Sequence, residues 1–317
     1  MATKANCLEI EDGRGTARVR RAILRSLLTL GRQKRSWTPA LLAGVTWRAL
    51  TNIGTRDEIH RLLSLHPYAE FAQSNPRFAW KYLTRNYLIR GLTVAERASC
   101  LVHHYRRLHA VLPEHHLRKI LQGEEILLEI PKCANRFTLT MGLPRTIDQE
   151  GEMSLNFRVD GEVVFVLSFA IVPGWIVKSK ASEVLLITLL QGMRGTYPQI
   201  YLATKSLHEV APVAILLAAA QGIATASRIS ELAAVCATRQ FSYDEKFAAG
   251  FESSYDHFFA ELGMVRNDAG FFSSPVPMPE KHLAFIKPGH KLRTREKRAF
   301  KQQIQSAWAG LFEGVTA

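Results

Sequence analysis

The sequence predicts an α+β fold, with an N-terminal helical region followed by a mixed, largely antiparallel sheet packed with helices. Three observations carry this. Helix-start signals crowd residues 38–122, where a proline or a capping pair opens one apolar-periodic stretch after another. Near residue 124 the period changes to short apolar or alternating runs bounded by turn residues. Beyond Glu183, helix-like and strand-like segments interleave, which calls for helices packed on a sheet.

The elements follow in order. Residues 1–15 read as a flexible tail. From Gly13 to Arg56 there is no acidic residue and there are ten Lys or Arg. Within this stretch Arg18, Arg21 and Arg25 fall on one helical face, and Ile23, Leu24, Leu27 and Leu28 fall on another. This basic amphipathic helix reads either as a membrane-surface anchor or as a packed helix with solvated arginines. Thr38-Pro39 and Asn75-Pro76 each place a capping residue before a proline. Thr93 with Glu96 forms a capping-box pattern, so residues 38–122 hold about five helices. Strands are predicted at Glu125–Ile130, Arg136–Met141, Glu152–Val159 and Glu162–Val172, the last two joined by the hairpin signal Asp160-Gly161. A further strand covers Glu183–Leu190; helices cover 198–209 and 212–226; a strand covers 230–236 and a helix 252–262. Two short strands and a basic helix end the chain. The domains are then a tail at 1–15, a helical region at 16–122, an α/β domain at 123–286 and a basic C-terminal helix at 287–317.

Composition narrows the class. The chain has 317 residues, 47% of them hydrophobic and 22% charged, which excludes disorder as the default. A net charge of +13 calls for an acidic partner. The run Lys287–Lys301 adds seven Lys or Arg against one Glu, and with only Phe300 interleaved it does not read as a base-stacking platform. Cys7, Cys100, Cys133 and Cys236 form no C-x-x-C pair, so reduced thiols are expected. No secretory signal is read at the start, and Val210–Ala226, although uncharged, is interrupted by Pro212, Gln221 and Gly222 and reads as a buried helix. His103, His104, His109, His115 and His116 lack the i, i+4 spacing of a helical metal site, so no metal ligand is assigned; His104 and Tyr105 are placed beside a cleft.

Several pieces recur in one order: His104-Tyr105, Glu150-Gly151-Glu152, Leu167–Phe169, Leu189–Gly192, Thr204–His208, Tyr255–Gly263, Gly270–Phe272 and Lys297-Arg298. In that order the sequence resembles the VirK/YbjX family of bacterial proteins. Two stretches differ. The family's Gly-Leu-Arg-Pro-Lys run reads Glu209–Val213 here, and its late Val-Ser-Asn…His segment reads Val235-Cys236-Ala237…Gln240. The resemblance implies an accessory role in envelope remodelling and virulence, through surface-protein localisation and resistance to antimicrobial peptides.

The C-terminal half is also similar to acetyl-CoA-dependent N-acyltransferases. The matching order is strand 183–190, the loop Gln191–Gly195, a helix ending in Gly222-Ile223, strand 230–236, and the helix carrying Tyr255. That resemblance implies acyl transfer from a CoA-like thioester to an amine. Gln191, Gly192 and Gly195 would form the phosphate loop, because glycines admit close backbone approach and a helix N-terminus attracts anions. Thr204 and His208 lie at i, i+4 on one expected helical face with Lys205 alongside, a set suited to a phosphate. Tyr255 would protonate the departing thiolate, Glu183 would take the amine proton, and His208 would hydrogen-bond or shuttle a proton. All five of Gln191, Thr204, Lys205, His208 and Tyr255 are expected around one pocket. Acyl-CoA is the cofactor this reading requires. An anionic membrane surface and a phosphorylated or CoA-like small molecule are the expected partners, ahead of nucleic acid. The expected location is the cytoplasm, with peripheral attachment to the inner membrane. A basic RNA-binding regulator of surface-protein expression stands as the remaining alternative.

Overall fold

Asp160 and Gly161 both take positive φ, 51° and 88°, and turn β3 (Met153–Val159) back along β4 (Glu162–Pro173). That hairpin is the middle of an eight-stranded sheet in a computed structural model describing residues 53–84, 87–132, 134–144 and 150–308, with 44, 45, 47 and 48. The tail, the basic helix expected at 17–31 and Thr38-Pro39 lie outside the described residues. The other strands are β1 (Glu124–Lys132), β2 (Asn135–Gly142), β5 (Glu183–Gly192), β6 (Glu231–Val235), β7 (Val265–Arg266) and β8 (Phe271–Pro275). Their order is β1-β2-β3-β4-β5-β6-β8-β7. Every neighbouring pair is antiparallel except β5 with β6, so the fold is α+β with a mixed sheet.

The chain divides into two units, residues 1–85 and 86–317. In the first, α1 (Ile53–Ser64) and α2 (Tyr68–Ser74) are followed by a 3-10 turn at Pro76–Ala79, opened by the proline as expected; Asn75 makes no side-chain cap bond. Tyr68, Phe71 and Phe78 cluster there, with ring centroids 5.2 and 6.3 Å apart.

The second unit holds the sheet together with α3 (Val94–Val111) and α4 (Glu114–Gln122). The capping box of α3 forms as the spacing requires: Glu96 N–H donates to Thr93 Oγ1 at 3.2 Å, and Thr93 N–H donates to Glu96 Oε2 at 2.7 Å. After β5 come α5 (Tyr197–Ser206) and α6 (Pro212–Ala226), the crossover a parallel β5–β6 pair demands. α6 is the apolar stretch read as a buried helix, and no helix among the described residues is long and apolar enough to cross a membrane. A helical stretch then runs through α7 (Ala248–Glu252), a π-helical turn (Ser253–His257) and α8 (Phe258–Glu261). The basic α9 (Lys291–Ser306) packs on α6. There a Cβ on Gly222 would come within 2.5 Å of Trp308 and 2.6 Å of the Gln305 carbonyl, so only glycine lets the helices approach this closely.

The core sits on β4 and β5. Consecutive residues Val166–Val172 are all buried, so both faces of β4 are covered, by α3 and α6 among others. Pairing with β3 ends at Met153↔Phe169, and β4 runs on past it. The Ile171 N–H would otherwise be buried without an acceptor. His104, fully buried on α3, supplies one: its Nδ1 accepts from Ile171 at 3.0 Å. His104 is thus packed in the core, where it was expected to line a cleft. Replacing it with Phe keeps the ring and removes the acceptor. We expect His104→Phe to cost about 1–3 kcal/mol in a urea denaturation curve. A midpoint equal to the parent's would mean that Ile171 needs no partner.

Candidate functional site

The site begins where the parallel pair ends. β6 pairs with β5 only over Leu185↔Leu232, Leu186↔Ala233 and Ile187↔Ala234, while β5 continues to Gly192. From Thr188 onward the backbone groups of β5 on the β6 side have no strand partner, and a buried polar group without a partner is costly. Side chains fill the need. Gln240 Nε2 donates to the hydroxyl oxygen of Tyr255 at 3.0 Å, and the Leu190 N–H lies near enough to the same oxygen to favour the phenolate. With the Gln240 bond accepted, the hydroxyl retains its own proton to donate.

Glu150 completes the arrangement. Its backbone carbonyl accepts from Thr188 Oγ1 at 2.6 Å, which holds it over β5. Gly151 makes this possible, since a Cβ there would come within 2.7 Å of the Ser168 side chain on β4. The Glu150 carboxylate is fully buried; Oε1 accepts from the Ser242 N–H at 3.0 Å, and Oε2 has no hydrogen-bond partner among the described residues. Gln240, also fully buried, has an Oε1 without a partner among them. Buried polar atoms are nearly always satisfied, so two orphan oxygens close to one tyrosine mark a place built for something else.

Protonation follows the surroundings. Burial pushes the Glu150 carboxyl above the usual range, and the bonds from Ser242 offset part of the rise. Burial and the nearby Glu150 charge push the Tyr255 phenol up, against the Leu190 N–H, so it stays protonated near neutral pH. The rings of Phe251 and Phe259 flank Tyr255 with centroids 6.4 and 6.3 Å away. Asp256 accepts from the Ala237 N–H at 2.7 Å and pairs with Arg266 at 3.2 Å, tying the turn that carries Tyr255 to the segment that carries Gln240. Beside that segment lies a polar cavity of about 520 Å³, whose lining includes Arg239, Arg266, Asn267 and Thr238.

Glu152 is a second fully buried carboxylate, and its charge helps raise the buried Tyr87 phenol. Burial, with this charge nearby, raises the Cys100 thiol, which therefore stays protonated and unreactive.

The residues nominated from sequence lie as follows. Tyr255 is in the site. Glu183 opens β5 and binds His103 Nε2 at 2.9 Å and Arg107 Nε at 2.8 Å, joining α3 to the strand. Burial alone would raise its carboxyl, but the His103 bond and the Arg107 charge outweigh burial and hold it below the usual range. Gln191 and Gly192 are the last residues of β5, with Gln191 exposed. Gly195 has φ +84° in the loop before α5. The Thr204 hydroxyl donates to the Ile200 carbonyl at 2.8 Å, and Lys205 lies exposed with Nζ 5.6 Å from the Tyr201 ring centroid. His208 corrects an expectation. Helix α5 ends at Ser206, and His208 and Glu209 take positive φ of 53° and 54°, so His208 does not share a helical face with Thr204. Its ring sits 5.3 Å from that of Phe300 on α9. Cavities of 520, 480 and 450 Å³ in this unit are lined by other residues than Gln191, Thr204, Lys205, His208 and Tyr255.

Glu150 and Gln240 were not among the nominated residues. The signal for Glu150 was the Glu-Gly-Glu piece itself, two carboxylates around a glycine just ahead of an apolar strand. Gln240 stands at the end of the segment where the family pattern has histidine.

Fold and site together define a class: an α+β protein whose mixed sheet opens at one parallel pair onto a buried acid, amide and phenol. Residues 45–309 match the model of a family described as protein of unknown function (DUF535), and the chain belongs to that family, the domain of the VirK/YbjX proteins. No curated protein and no solved structure matches the chain.

Glu150→Gln tests the strain in this site. A carboxyl raised in the folded state contributes nothing below its unfolded pKa, near 4.3; it destabilises the fold increasingly as pH rises from there to its folded value, and by a constant amount above that. The amide keeps an oxygen for the Ser242 N–H and removes the charge. Glu150→Gln should therefore raise the melting temperature, by the equivalent of about 1–3 kcal/mol at pH 8 and by little at pH 4. Equal shifts at both pH values would remove the buried charge as the cause.

Proposed function

We propose that this protein serves envelope remodelling as an enzyme, moving an acyl group from a CoA-like thioester to an amine. One observation carries the reading: Tyr255, Glu150 and Gln240 are buried together where β5 and β6 part, with two oxygens left without partners. The element order from β5 to β8, with its single parallel pair, supports the acyltransferase likeness of the sequence. The likeness to VirK/YbjX proteins supplies the envelope setting.

The residues suit the work. A bound CoA-like thioester supplies an activated acyl carbon and a thiolate leaving group. Backbone groups of β5 after Ile187, which have no strand partner in β6, would receive the donor's amides, as an added strand is received. The exposed loop Gln191–Gly195, leading into the α5 N-terminus, would hold its phosphates, with Lys205 as an added cation. Glu150, with its raised proton affinity, would take the amine proton as the carbon–nitrogen bond forms. Tyr255, its hydroxyl oxygen already accepting from Gln240, would give its proton to the sulfur as the carbon–sulfur bond breaks. In this reading Glu183, held ionised by Arg107 and His103, orients α3 and leaves the base role to Glu150. The Arg239–Arg266 cavity would favour an acceptor that also carries negative charge.

Calorimetry of the full chain with acetyl-CoA is the first test, and thiol release in the presence of amine acceptors is the second. The parent is expected to bind. Tyr255→Phe should bind about equally and lose roughly 10²–10⁴-fold in turnover. Absence of binding heat for the parent, or a Tyr255→Phe protein of full activity, would reject the reading.

A further inference from the structure

The cations of the C-terminal region fall into two groups. Arg293 and Lys297 reach Glu209, and Arg298 and Lys301 reach Glu280. Lys281, Lys287, Lys291 and Arg295 form the second group, and no carboxylate among the described residues pairs with them. From Lys281 to Arg295 the chain carries five Lys or Arg and two His, with no Asp or Glu.

Two large apolar side chains stand in the same stretch. Phe285 is 74% exposed and Leu292 is 69% exposed. The segment that presents them is held down. Ile286 turns the other way, into a groove of about 450 Å³ beside Thr294 and Lys297 of α9. Arg298 donates to the Lys281 carbonyl, and the Ala284 N–H donates to His282 Nδ1 at 3.2 Å. A fixed backbone thus leaves one aromatic and one aliphatic side chain exposed in a stretch where Lys281, Lys287, Lys291 and Arg295 outnumber the nearby exposed carboxylate of Glu296.

We propose that this tip docks the protein on an anionic lipid surface. Phe285 and Leu292 enter the interface, and Lys281, Lys287, Lys291 and Arg295 meet the headgroups. The chemistry selects this partner. Apolar side chains leave water at the acyl boundary while cations stay at headgroup level. Each cation near an anionic leaflet strengthens binding roughly fivefold. Single-stranded nucleic acid would require several aromatic platforms along a basic groove, and this stretch offers one. The proposal rests on the surface of the fold alone and not on the acyltransfer reading.

Co-sedimentation of the full chain tests it, with phosphatidylcholine vesicles and with vesicles containing phosphatidylglycerol, at low and high salt. Both variant pairs change exposed residues and should melt with the parent. The parent is expected to bind the anionic vesicles at low salt and release at high salt. Phe285→Ser with Leu292→Ser should weaken binding about tenfold or more at low salt. Lys287→Glu with Lys291→Glu should weaken it at least as much, at low salt only. Parent-level binding by either pair would overturn the proposal. So would loss of tRNA binding by the glutamate pair with vesicle binding unchanged, which would assign the tip to nucleic acid.

Discussion

The parallel pairing of β5 with β6 stops after three residue pairs, and the site depends on that stop. A longer ladder would satisfy the β5 backbone with β6 and leave no use for a phenol at Leu190. Because the ladder ends at Ile187, the chain must bring polar side chains into an otherwise apolar core. Thr188 bonds the Glu150 carbonyl, Tyr255 stands beside the Leu190 N–H, and Gln240 bonds Tyr255 in turn. The π-helical turn at Ser253–His257 belongs to the same arrangement, since such turns insert a residue and rotate side chains at functional sites.

Two kinds of carboxylate result, a half-buried Glu183 and a fully buried Glu150, and the difference lies in what faces each of them. Glu183 has a guanidinium and an imidazole within hydrogen-bond distance, and it works as a clamp between α3 and β5. Glu150 has one backbone N–H and no cation among its described hydrogen-bond or ion-pair partners, so its charge is opposed by burial. Removing water from a carboxylate without pairing it costs stability. A fold retains such a group when the raised proton affinity is itself of use. The local cost is borne by the neighbouring core, where β4, β5 and α6 bury long apolar runs.

Much of the fold was legible because its signals are local. Asp160-Gly161 gives a hairpin from two residues, and Thr93 with Glu96 caps α3 over three positions. The expected strands lie within about two residues of β1 to β6, because a strand in a buried sheet shows as an apolar run between turn residues. The C-terminal end of α5 was not legible. Nothing in Thr204–His208 marks Leu207 as its last cap, and positive φ at His208 and Glu209 is uncommon for such residues. The site was legible only in part. Tyr255 came from resemblance, whereas Glu150 and Gln240 lie 90 positions apart and meet through tertiary packing that no periodicity encodes.

The strongly basic composition also takes on a different meaning once the partners are known. Four of the cations at the C-terminal end are consumed by Glu209 and Glu280, which fasten α9 and the segment before it to the body of the unit. Those pairs are partly exposed, and each stabilises the fold by little; their effect is geometric. By fixing one face of α9 they determine which cations remain turned to solvent, and those flank Phe285 and Leu292. Net charge by itself argues only for some acidic partner. Under the docking proposal, pairing half of these cations internally turns a diffuse attraction into a directed one, aimed from the segment that carries Phe285 and Leu292. Under the two proposals together, an acyltransferase held at a lipid surface would meet acceptors in two dimensions rather than three, which raises the effective concentration of any amine carried by the membrane.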